Sequence, residues 1–316
     1  MDTSLTTSVP DAAEMGPPGW RSMVDALEQA LRAGLDPEAD PPRSRVTAEG
    51  CELLLMPSRM PGWTGAKLIT LAEDNPGRGL PLVQGIYVLF EADGGTPTAI
   101  LDGAALTAVR TPAVSALAVR HLATKPVERV ALLGTGVQGA AHSYALLATT
   151  GAARLDVIGR TPERVAALAR SLGGPDAGVR PAGIEAVAKA DLVICTTGSA
   201  TPLFAGDAVR PDAVVVAIGS HTPDTREVDT ALAARSSVVV ESRQSALREN
   251  GDVVLPLAEG AIAESDLLTL ADVVTGRVVL PTDRPRLFTG TGMPWQDLVA
   301  AAALARPTTI MRTDHR

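Results

Sequence analysis

The chain has 316 residues, of which 46% are hydrophobic, 20% charged and 3% aromatic, and this length suits about two domains. A net charge of −8 at pH 7 argues against a nucleic-acid partner, which needs a basic face. The two cysteines, Cys51 and Cys195, are too few for a disulfide framework and lack metal-site spacing, so we expect no metal.

The N-terminal stretch predicts a short disordered lead. It consists of MDTSLTTSVPDAAEMGPPGW, which is rich in Ser, Thr and Pro and lacks the basic start and apolar core of a signal peptide. No apolar run in the chain approaches the ~18 residues of a membrane helix. We therefore expect a cytoplasmic protein without a membrane partner.

Residues 1–115 have the pattern of an α+β domain. RSMVDALEQALRAG predicts an amphipathic helix, and CELLLMP, GAKLITLAE and GIYVLFEADGGTPTAILDG predict strands, with DGG marking a hairpin. In RTPAVSALAVRHLA, Thr111 is suited to an N-cap and Pro112 to the first helical position. Arg110 would then directly precede a helix N-terminus, a favourable place for an anion.

Residues 116–293 predict a Rossmann-type, doubly wound parallel sheet. VERVALLG, LDVIG, DLVICTTG, AVVVAIG and SVVVES are short apolar runs, and the helical stretches VQGAAHSYALLATT, PERVAALARSL and GIEAVAKA lie between the earlier ones. The fold class is therefore α/β. A last helix, 294–316, follows the final strand and is expected to return and complete the first domain.

The strongest motif is VALLGTGVQGAAHS, in which Gly134, Gly136 and Gly139 have GxGxxG spacing. These glycines permit a tight turn, close approach of the backbone to a pyrophosphate, and close helix–strand packing. The motif follows a strand and opens a helix, which favours dinucleotide binding over a purely structural turn. Because ligands of such sheets lie at the carboxyl ends of strands, we also expect cofactor contacts from Thr196, Thr197 and Gly219.

The end of the second strand bears on the choice of cofactor. An Asp or Glu usually meets the ribose 2′-hydroxyl of NAD there, whereas this chain has Arg160 and Thr161, with Arg164 one turn later. A guanidinium and a hydroxyl suit a 2′-phosphate, so NADP(H) is favoured and NAD(H) remains possible. The alternative is that Arg160 is only a solvated loop charge.

Lys67 is a candidate catalytic residue. It lies in the apolar strand GAKLITL, and the chain otherwise uses lysine only at positions 125 and 189. Desolvation lowers the pKa of a lysine and makes it a usable acid or base. The alternative is that Lys67 has no chemical role and its amine simply reaches solvent at the edge of the strand.

Two acidic residues further along the chain are given structural interpretations. Asp224 is interpreted as a turn former and Glu227 as a charge at a helix N-terminus.

Several motifs together resemble the ornithine cyclodeaminase/mu-crystallin family. They include GAKLIT, NPGRGLPLVQG, LDGAALTAVRTPAVSALAVRHLA, VALLGTGVQGAAH, IGSHTPDTREVD, VVVESRQSALRENGDVV and LFTGTGMPWQDLVAA. The resemblance spans residues 22–304. It implies a homodimer with a substrate and dimerisation domain and a Rossmann domain, acting on α-amino or α-imino acids by hydride transfer.

The resemblance also implies roles for individual residues. The family's carboxylate-binding arginines fall on Arg43 and Arg110, and its active-site lysine falls on Lys67. Thr111 matches a residue near the cofactor, and Val137 and Gln138 follow the glycine motif as in relatives.

His221 marks a departure from part of the family. Ornithine cyclodeaminases have an aspartate where this chain has Gly219-Ser220-His221. Without that carboxylate, cyclisation of ornithine is disfavoured, and His221 offers an imidazole for proton transfer or is a loop residue without a chemical role. We therefore expect an NAD(P)H-dependent reductase of a keto-acid imine, such as a cyclic ketimine carboxylate. There are two alternatives. The first is deamination of the ornithine cyclodeaminase or alanine dehydrogenase type, and the second is a non-catalytic NADP-linked binder.

Overall fold

Two β-sheets of different kinds organise residues 5–305, which are the part of the chain described by the computed structural model. The first sheet is antiparallel and has the strand order of the chain. Its strands are β1 Ser44–Ala48, β2 Cys51–Met60, β3 Trp63–Leu71, β4 Val83–Glu91 and β5 Pro97–Asp102. Gly94 and Gly95, both with positive φ, form the predicted turn between β4 and β5.

The second sheet is parallel throughout. Its strands are β6 Arg129–Leu133, β7 Arg154–Ile158, β8 Val179–Pro181, β9 Leu192–Cys195, β10 Val214–Ala217, β11 Ser237–Val240, β12 Leu268–Thr269 and β13 Arg286–Thr289. They lie in the order β12-β11-β13-β10-β9-β6-β7-β8. The chain runs outward from β6 to β8 and then crosses to β9. The carboxyl ends of β6 and β9 therefore flank the switch point at which doubly wound sheets bind ligands.

Helices cover both sheets. They are α1 Gly16–Arg32, α2 Gly103–Leu122, α3 Val137–Thr150, α4 Pro162–Ser171, α5 Thr230–Arg235, α6 Arg243–Glu249, α7 Gly251–Ala258, α8 Leu270–Val274 and α9 Pro294–Ala305. The predicted α/β class, with a parallel sheet and an additional α+β unit, is confirmed. One predicted helical stretch differs, because Ile184–Lys189 forms a 3-10 helix.

The predicted disordered lead is wrong over the residues that the structure describes. The backbone of Leu5 and Thr7 hydrogen-bonds to Ile100 of β5, with N···O distances of 2.7 and 3.0 Å. The helix α1 begins at Gly16, before the predicted start at Arg21. Proline near the start of a helix lacks only an N–H that would be unpaired there, so the GPPGW segment opens α1.

The predicted helix start at Thr111 is also wrong. The cap of α2 is Asp102, whose Oδ1 accepts from the amides of Ala104 and Ala105 at 2.8 Å each. Pro112 lies inside the helix and removes one backbone hydrogen bond. Packing of α2 against α1, α3 and α9 compensates for that loss. Arg110 is consequently a buried residue of the helix body and does not precede its N-terminus.

The final helix, α9, returns to the antiparallel sheet and packs on β2 and β3. It is described as far as Ala305, and the rest of the predicted 294–316 helix lies outside the described residues. The predicted domain boundary after residue 115 falls within α2, so one helix spans both predicted domains. Within residues 5–305, no helix combines the length and the apolar character needed to cross a bilayer.

Candidate active site

One cavity of about 200 Å³ lies between the antiparallel sheet and the carboxyl edge of the parallel sheet. Six of the residues singled out from the sequence line it, although they come from five separate parts of the chain. They are Arg43, Lys67, Arg110, Thr111, Gln138 and His221. The other candidates for cofactor binding lie outside this cavity, along the ends of β6, β7, β9 and β10. They are Gly134, Gly136, Val137, Gly139, Arg160, Thr161, Arg164, Thr196, Thr197 and Gly219.

Lys67 is buried on the face of β3 that lines the cavity, with 1% of its surface exposed. Its Nζ donates to Oδ1 of Asp297 at 3.0 Å and to Oγ1 of Thr107 at 3.2 Å, and it lies 2.9 Å from Oδ2 of Asp297. An ammonium has three N–H donors, so these two partners leave one N–H for a ligand. Burial lowers the Lys67 pKa to about 8, although the Asp297 carboxylate opposes this shift. Near neutral pH the amine can therefore both hold and release a proton.

Arg110 shares the carboxylate of Asp297 with Lys67. The Arg110 Nε donates to Oδ1 of Asp297 at 3.0 Å, and Nη1 donates to Oε1 of Gln296 at 2.9 Å. Gly292 lies against the other side of the guanidinium with φ +82°, and a Cβ there would lie 2.5 Å from Nη2 and 2.7 Å from Nη1. The guanidinium of Arg110 is thus fixed from two sides. Its remaining N–H groups have a geometry suited to donating to the oxygens of a carboxylate.

Arg43 approaches the same cavity from the segment before β1. Its Nη2 lies 3.1 Å from Oε1 of Glu249 and donates to the carbonyls of Thr291 and Gly292 at 3.2 and 2.8 Å. Two acidic residues that precede Arg43 in the chain hold this segment against the N-termini of α6 and α9. Glu38 accepts from the amide of Arg243 at 2.6 Å, and Asp40 accepts from the amide of Trp295 at 2.7 Å.

The glycine motif forms a tight turn between β6 and α3. A Cβ on Gly134 would collide with Oγ1 of Thr196, and one on Gly139 would collide with the carbonyl of Gly134. Gly136, by contrast, faces open space and caps α3 without a side-chain hydrogen bond. The amides at the start of α3 therefore point to an open, positively polarised surface. This arrangement fits the pyrophosphate of a dinucleotide.

The end of β7 lies beside this turn, and the amide of Gly134 donates to the carbonyl of Ile158 at 3.0 Å. Arg160, Thr161 and Arg164 follow directly and are all exposed. Thr161 is the N-cap residue of α4. A nucleotide bound on the α3 N-terminus would therefore have a guanidinium and a hydroxyl available at its ribose side.

Glu227 ties together the loops that follow β9 and β10. Its side chain is fully buried, with Oε1 accepting from the amide and hydroxyl of Thr197 at 2.6 and 2.7 Å and Oε2 from the amide of Gly219 at 2.7 Å. Burial raises its pKa to about 7. The interpretation of Glu227 as a helix N-terminal charge is thus wrong, because α5 is capped by Asp229.

His221 extends from the loop that Glu227 holds. Its ring is exposed at the edge of the cavity, and Nδ1 lies 3.2 Å from the carbonyl of Gly219. His142, by contrast, is fully buried in α3 between Ser115 and the carbonyl of Gln138, at 2.9 and 2.8 Å. Burial lowers the His142 pKa to about 4. It is a neutral packing residue that joins α2 to α3.

Sequence reasoning missed the acidic partners of the site. Asp297, Glu241 and Glu249 are buried near the three cations, and Glu241 accepts from the amides of Thr291 and Gly292 at 3.0 and 2.8 Å. Asp297 had a usable signal, because it is the one charge in the apolar segment PWQDLVAAAALA. A charge within such a helix needs a partner.

The fold and the site define a dinucleotide-binding α/β protein with a buried lysine–arginine pair in its cleft. The model of the ornithine cyclodeaminase/mu-crystallin family matches residues 20–306, and the chain belongs to that family. It is 36% identical over 298 residues to Delta(1)-pyrroline-2-carboxylate reductase of Paracoccus denitrificans, covering 91% of this chain and 92% of the relative. It is 34% identical over 248 residues to ketimine reductase mu-crystallin of Rattus norvegicus, covering 77% of each.

A solved structure has the same fold over almost the whole chain. It is Thermococcus litoralis Delta(1)-pyrroline-2-carboxylate reductase in complex with NADH and L-proline, with a TM-score of 0.84 and 25% sequence identity. The superposition covers 96% of this chain and 96% of the other.

Proposed function

We propose that the protein is an NAD(P)H-dependent reductase that converts the imine of an α-keto acid, such as a cyclic ketimine carboxylate, into an amino acid. The observation that best supports this is the shared cavity of Lys67, Arg110 and Arg43. It lies next to Gln138, whose Nε2 donates to the carbonyl of Thr107 at 3.3 Å, at the start of the helix suited to a dinucleotide. The names of the relatives described above support the same reaction.

Each group of the cavity has a part in this reaction. Arg110 and Arg43 bind and orient the substrate carboxylate, because guanidinium forks match its two oxygens. NAD(P)H, held by the amides at the start of α3, would supply the hydride that the imine carbon takes up. Lys67 holds a proton at Nζ, and this proton passes to the imine nitrogen directly or through water as the C=N double bond becomes single. His221, at the edge of the cavity, is a second candidate for that proton.

NADPH is the proposed cofactor in preference to NADH. The support is the exposed Arg160, Thr161 and Arg164 at the end of β7, where an acidic residue would select for NAD. The pyrophosphate would be held by the amides at the start of α3 and approached closely at Gly136.

We also propose a homodimer formed through the outer face of the antiparallel sheet. Leu55, Leu68 and Ile86 form one cross-strand row on that face, and Ile86 is 43% exposed. A broad, partly exposed apolar face is typical of a protein–protein interface. Light scattering on the purified protein should give twice the chain mass, and Ile86→Glu should give monomers.

The function is tested by following oxidation of NADPH and NADH with candidate imines. These include 1-pyrroline-2-carboxylate and mixtures of keto acids with ammonia or amines. Stoichiometric oxidation supports reduction. Release of ammonia from ornithine without net cofactor change would show deamination instead, and nucleotide binding without turnover of any of these compounds would show a non-catalytic binder.

A further inference from the structure

The partners of Lys67 limit the ways in which a proton can reach its amine from within the protein. Thr107 accepts from Nζ, but its own hydroxyl donates to the carbonyl of Gly103 at 2.8 Å, and a carbonyl has no proton to pass on. Arg110, which shares the carboxylate of Asp297, does not release its proton in proteins. Among the described residues, Asp297 is therefore the partner of Lys67 through which a proton can pass.

A proton that leaves Lys67 has to be replaced for the next turnover. The side chain is 1% exposed, and a bound substrate would cover its remaining N–H from the side of the cavity. A path that reaches the amine from behind would deliver protons while the cavity is still occupied.

Tyr87 lies next to Lys67 on the inner face of the antiparallel sheet. The two residues pair across β3 and β4, and Tyr87 is fully buried. A Cβ on Gly65 would collide with the phenol oxygen, so the ring extends over Gly65, which does not line the active-site cavity. Within residues 5–305 the hydroxyl has no hydrogen-bond partner. A buried hydroxyl without a partner is uncommon and requires an explanation.

Two carboxylates lie close to this hydroxyl. Burial raises the pKa of Tyr87, and the negative charges of Asp297 and Asp40 raise it further. Oδ1 of Asp40 accepts from Ser58 at 2.6 Å, and Ser58 pairs with Gly65, over which the ring lies. Oδ2 of Asp297 accepts no hydrogen bond from the described part of the chain and so has lone pairs free for a donor.

Asp40 connects this buried group to solvent. It is half-buried and lines a second cavity, of about 870 Å³, between α1, α9 and the turn that joins β2 to β3. Burial raises the Asp40 pKa to about 6, and the charges of Asp297 and Asp36 add to this against two hydrogen bonds that lower it. Because the Lys67 pKa is higher, about 8, a proton on Asp40 moves favourably to Lys67.

We propose that Asp40 and Tyr87 form a proton relay that reloads Lys67 from the second cavity. The relay rests on the proposed imine reduction and adds the route by which its proton donor is restored. Asp40 gives a proton to the Tyr87 oxygen as the Tyr87 hydroxyl proton passes to Oδ2 of Asp297, directly or through one water. Asp297 then gives a proton to the neutral amine of Lys67, which becomes the ammonium. Asp40, left as the carboxylate, takes its next proton from solvent.

The test removes the Tyr87 hydroxyl and compares the first turnover with the later ones. Tyr87→Phe is mixed in a stopped-flow instrument at pH 7 with NADPH and an excess of an imine that the wild type reduces. Lys67 is mostly protonated at that pH, so the first equivalent of NADPH per chain should be oxidised at the wild-type rate. Later turnovers should be at least roughly tenfold slower, because a proton-transfer group typically contributes ~10²–10⁴-fold. Tyr144→Phe, at the other tyrosine of the chain, should match wild type in both phases.

A second variant and a chemical rescue distinguish a relay from structural support. Asp40→Asn keeps an oxygen as acceptor but has no proton to transfer, and it should reproduce the pattern of Tyr87→Phe. The two changes combined should slow later turnovers no more than either alone, because both interrupt one path. Imidazole, a small proton donor that can enter the emptied cavity, should restore the later turnovers of both variants as its concentration rises. Asp93→Asn, at an exposed turn position, is the control.

Either of two results would overturn the inference while the proposed function stands. One is that later turnovers of Tyr87→Phe are as fast as those of wild type. The other is an equal slowing of the first turnover that imidazole does not relieve, which would show that Tyr87 only supports the packing of the site. Failure of the wild type to oxidise NADPH or NADH with any imine would instead refute the proposed function, and the relay with it. Nucleotide binding and thermal unfolding check that each variant is folded.

Discussion

Nζ of Lys67 lies 2.9 Å from Oδ2 of Asp297, and both side chains are buried although 230 positions separate them in sequence. The same carboxylate binds Arg110 at 3.0 Å. The proposed proton donor and the proposed carboxylate-binding group are therefore held at a fixed separation by one acid. This relationship has consequences that kinetics can measure.

Replacement of Lys67 by methionine should abolish most of the turnover. The apolar chain keeps the volume of lysine but has no proton to donate, and general acid catalysis typically contributes ~10²–10⁴-fold. We expect a loss of that size in kcat, with nucleotide affinity unchanged in a fluorescence titration. Lys189→Met, at an exposed position, is the matched control and should behave as wild type.

The rate should depend on pH through Lys67. Burial lowers its pKa to about 8, so the ammonium is present below pH 8 and is lost above it. If the ammonium is the donor, kcat/KM falls as pH rises through about 8. Asp297→Asn removes the charge that favours the ammonium, and the fall should then begin at lower pH.

Turnover that persists in Lys67→Met but is lost in His221→Ala would instead identify His221 as the donor.

Arg110→Lys should weaken substrate binding with little effect on the cofactor. Lysine keeps the positive charge but loses the planar fork that binds two oxygens. A charged hydrogen bond contributes ~1.5–3 kcal/mol, so kcat/KM should fall about 10- to 150-fold. Steady-state kinetics with the imine varied at saturating NADPH measures the change. An equal increase in KM for NADPH would contradict a role in holding the substrate.

Arg160→Ala should reduce the preference for NADPH over NADH. The exposed guanidinium is the nearest cation following β7, and its removal should lower NADPH affinity about 10- to 100-fold while NADH affinity is unchanged. Arg170→Ala, also exposed on α4, serves as the control. Equal loss for both nucleotides would indicate damage to the fold of this edge.

Glu227→Gln should loosen both loops that Glu227 holds. The glutamine NH₂ group would face the amide of Gly219, so two donors would meet and one buried N–H would lose its acceptor. An unsatisfied buried donor costs ~1–3 kcal/mol of the free energy of unfolding. Denaturant unfolding measures that loss, with Glu185→Gln at an exposed position as the control. Unchanged stability would show that Glu227 is not needed to hold the loops.

Five of the eight strands that the described residues contribute to the parallel sheet could be predicted from sequence, because each contains a short apolar run bounded by polar turns. The run AVVVAIG, for example, contains the buried strand Val214–Ala217. The start of α2 could not be predicted, because Thr111-Pro112 has the chemistry of a helix start. Burial of α2 among other helices outweighs the cost of proline inside it, which is a tertiary effect.

The basic residues of the site could be predicted from the sequence, but their acidic partners could not. Lys67 was conspicuous in an apolar strand, and the family resemblance drew attention to Arg43 and Arg110. Their partners Asp297 and Glu249 lie at least 187 residues away, and no local spacing connects them. Glu227 was interpreted as a charge at a helix N-terminus because its contacts with Thr197 and Gly219 form only in the folded protein.

Gly292 shows how the absence of a side chain can determine where a neighbouring guanidinium lies, in this case that of Arg110. Any side chain there would push both terminal nitrogens of Arg110 out of place, and the left-handed backbone would add ~1–2 kcal/mol of strain. The position of the Arg110 guanidinium, proposed to bind the substrate carboxylate, therefore depends on the absence of a side chain at Gly292.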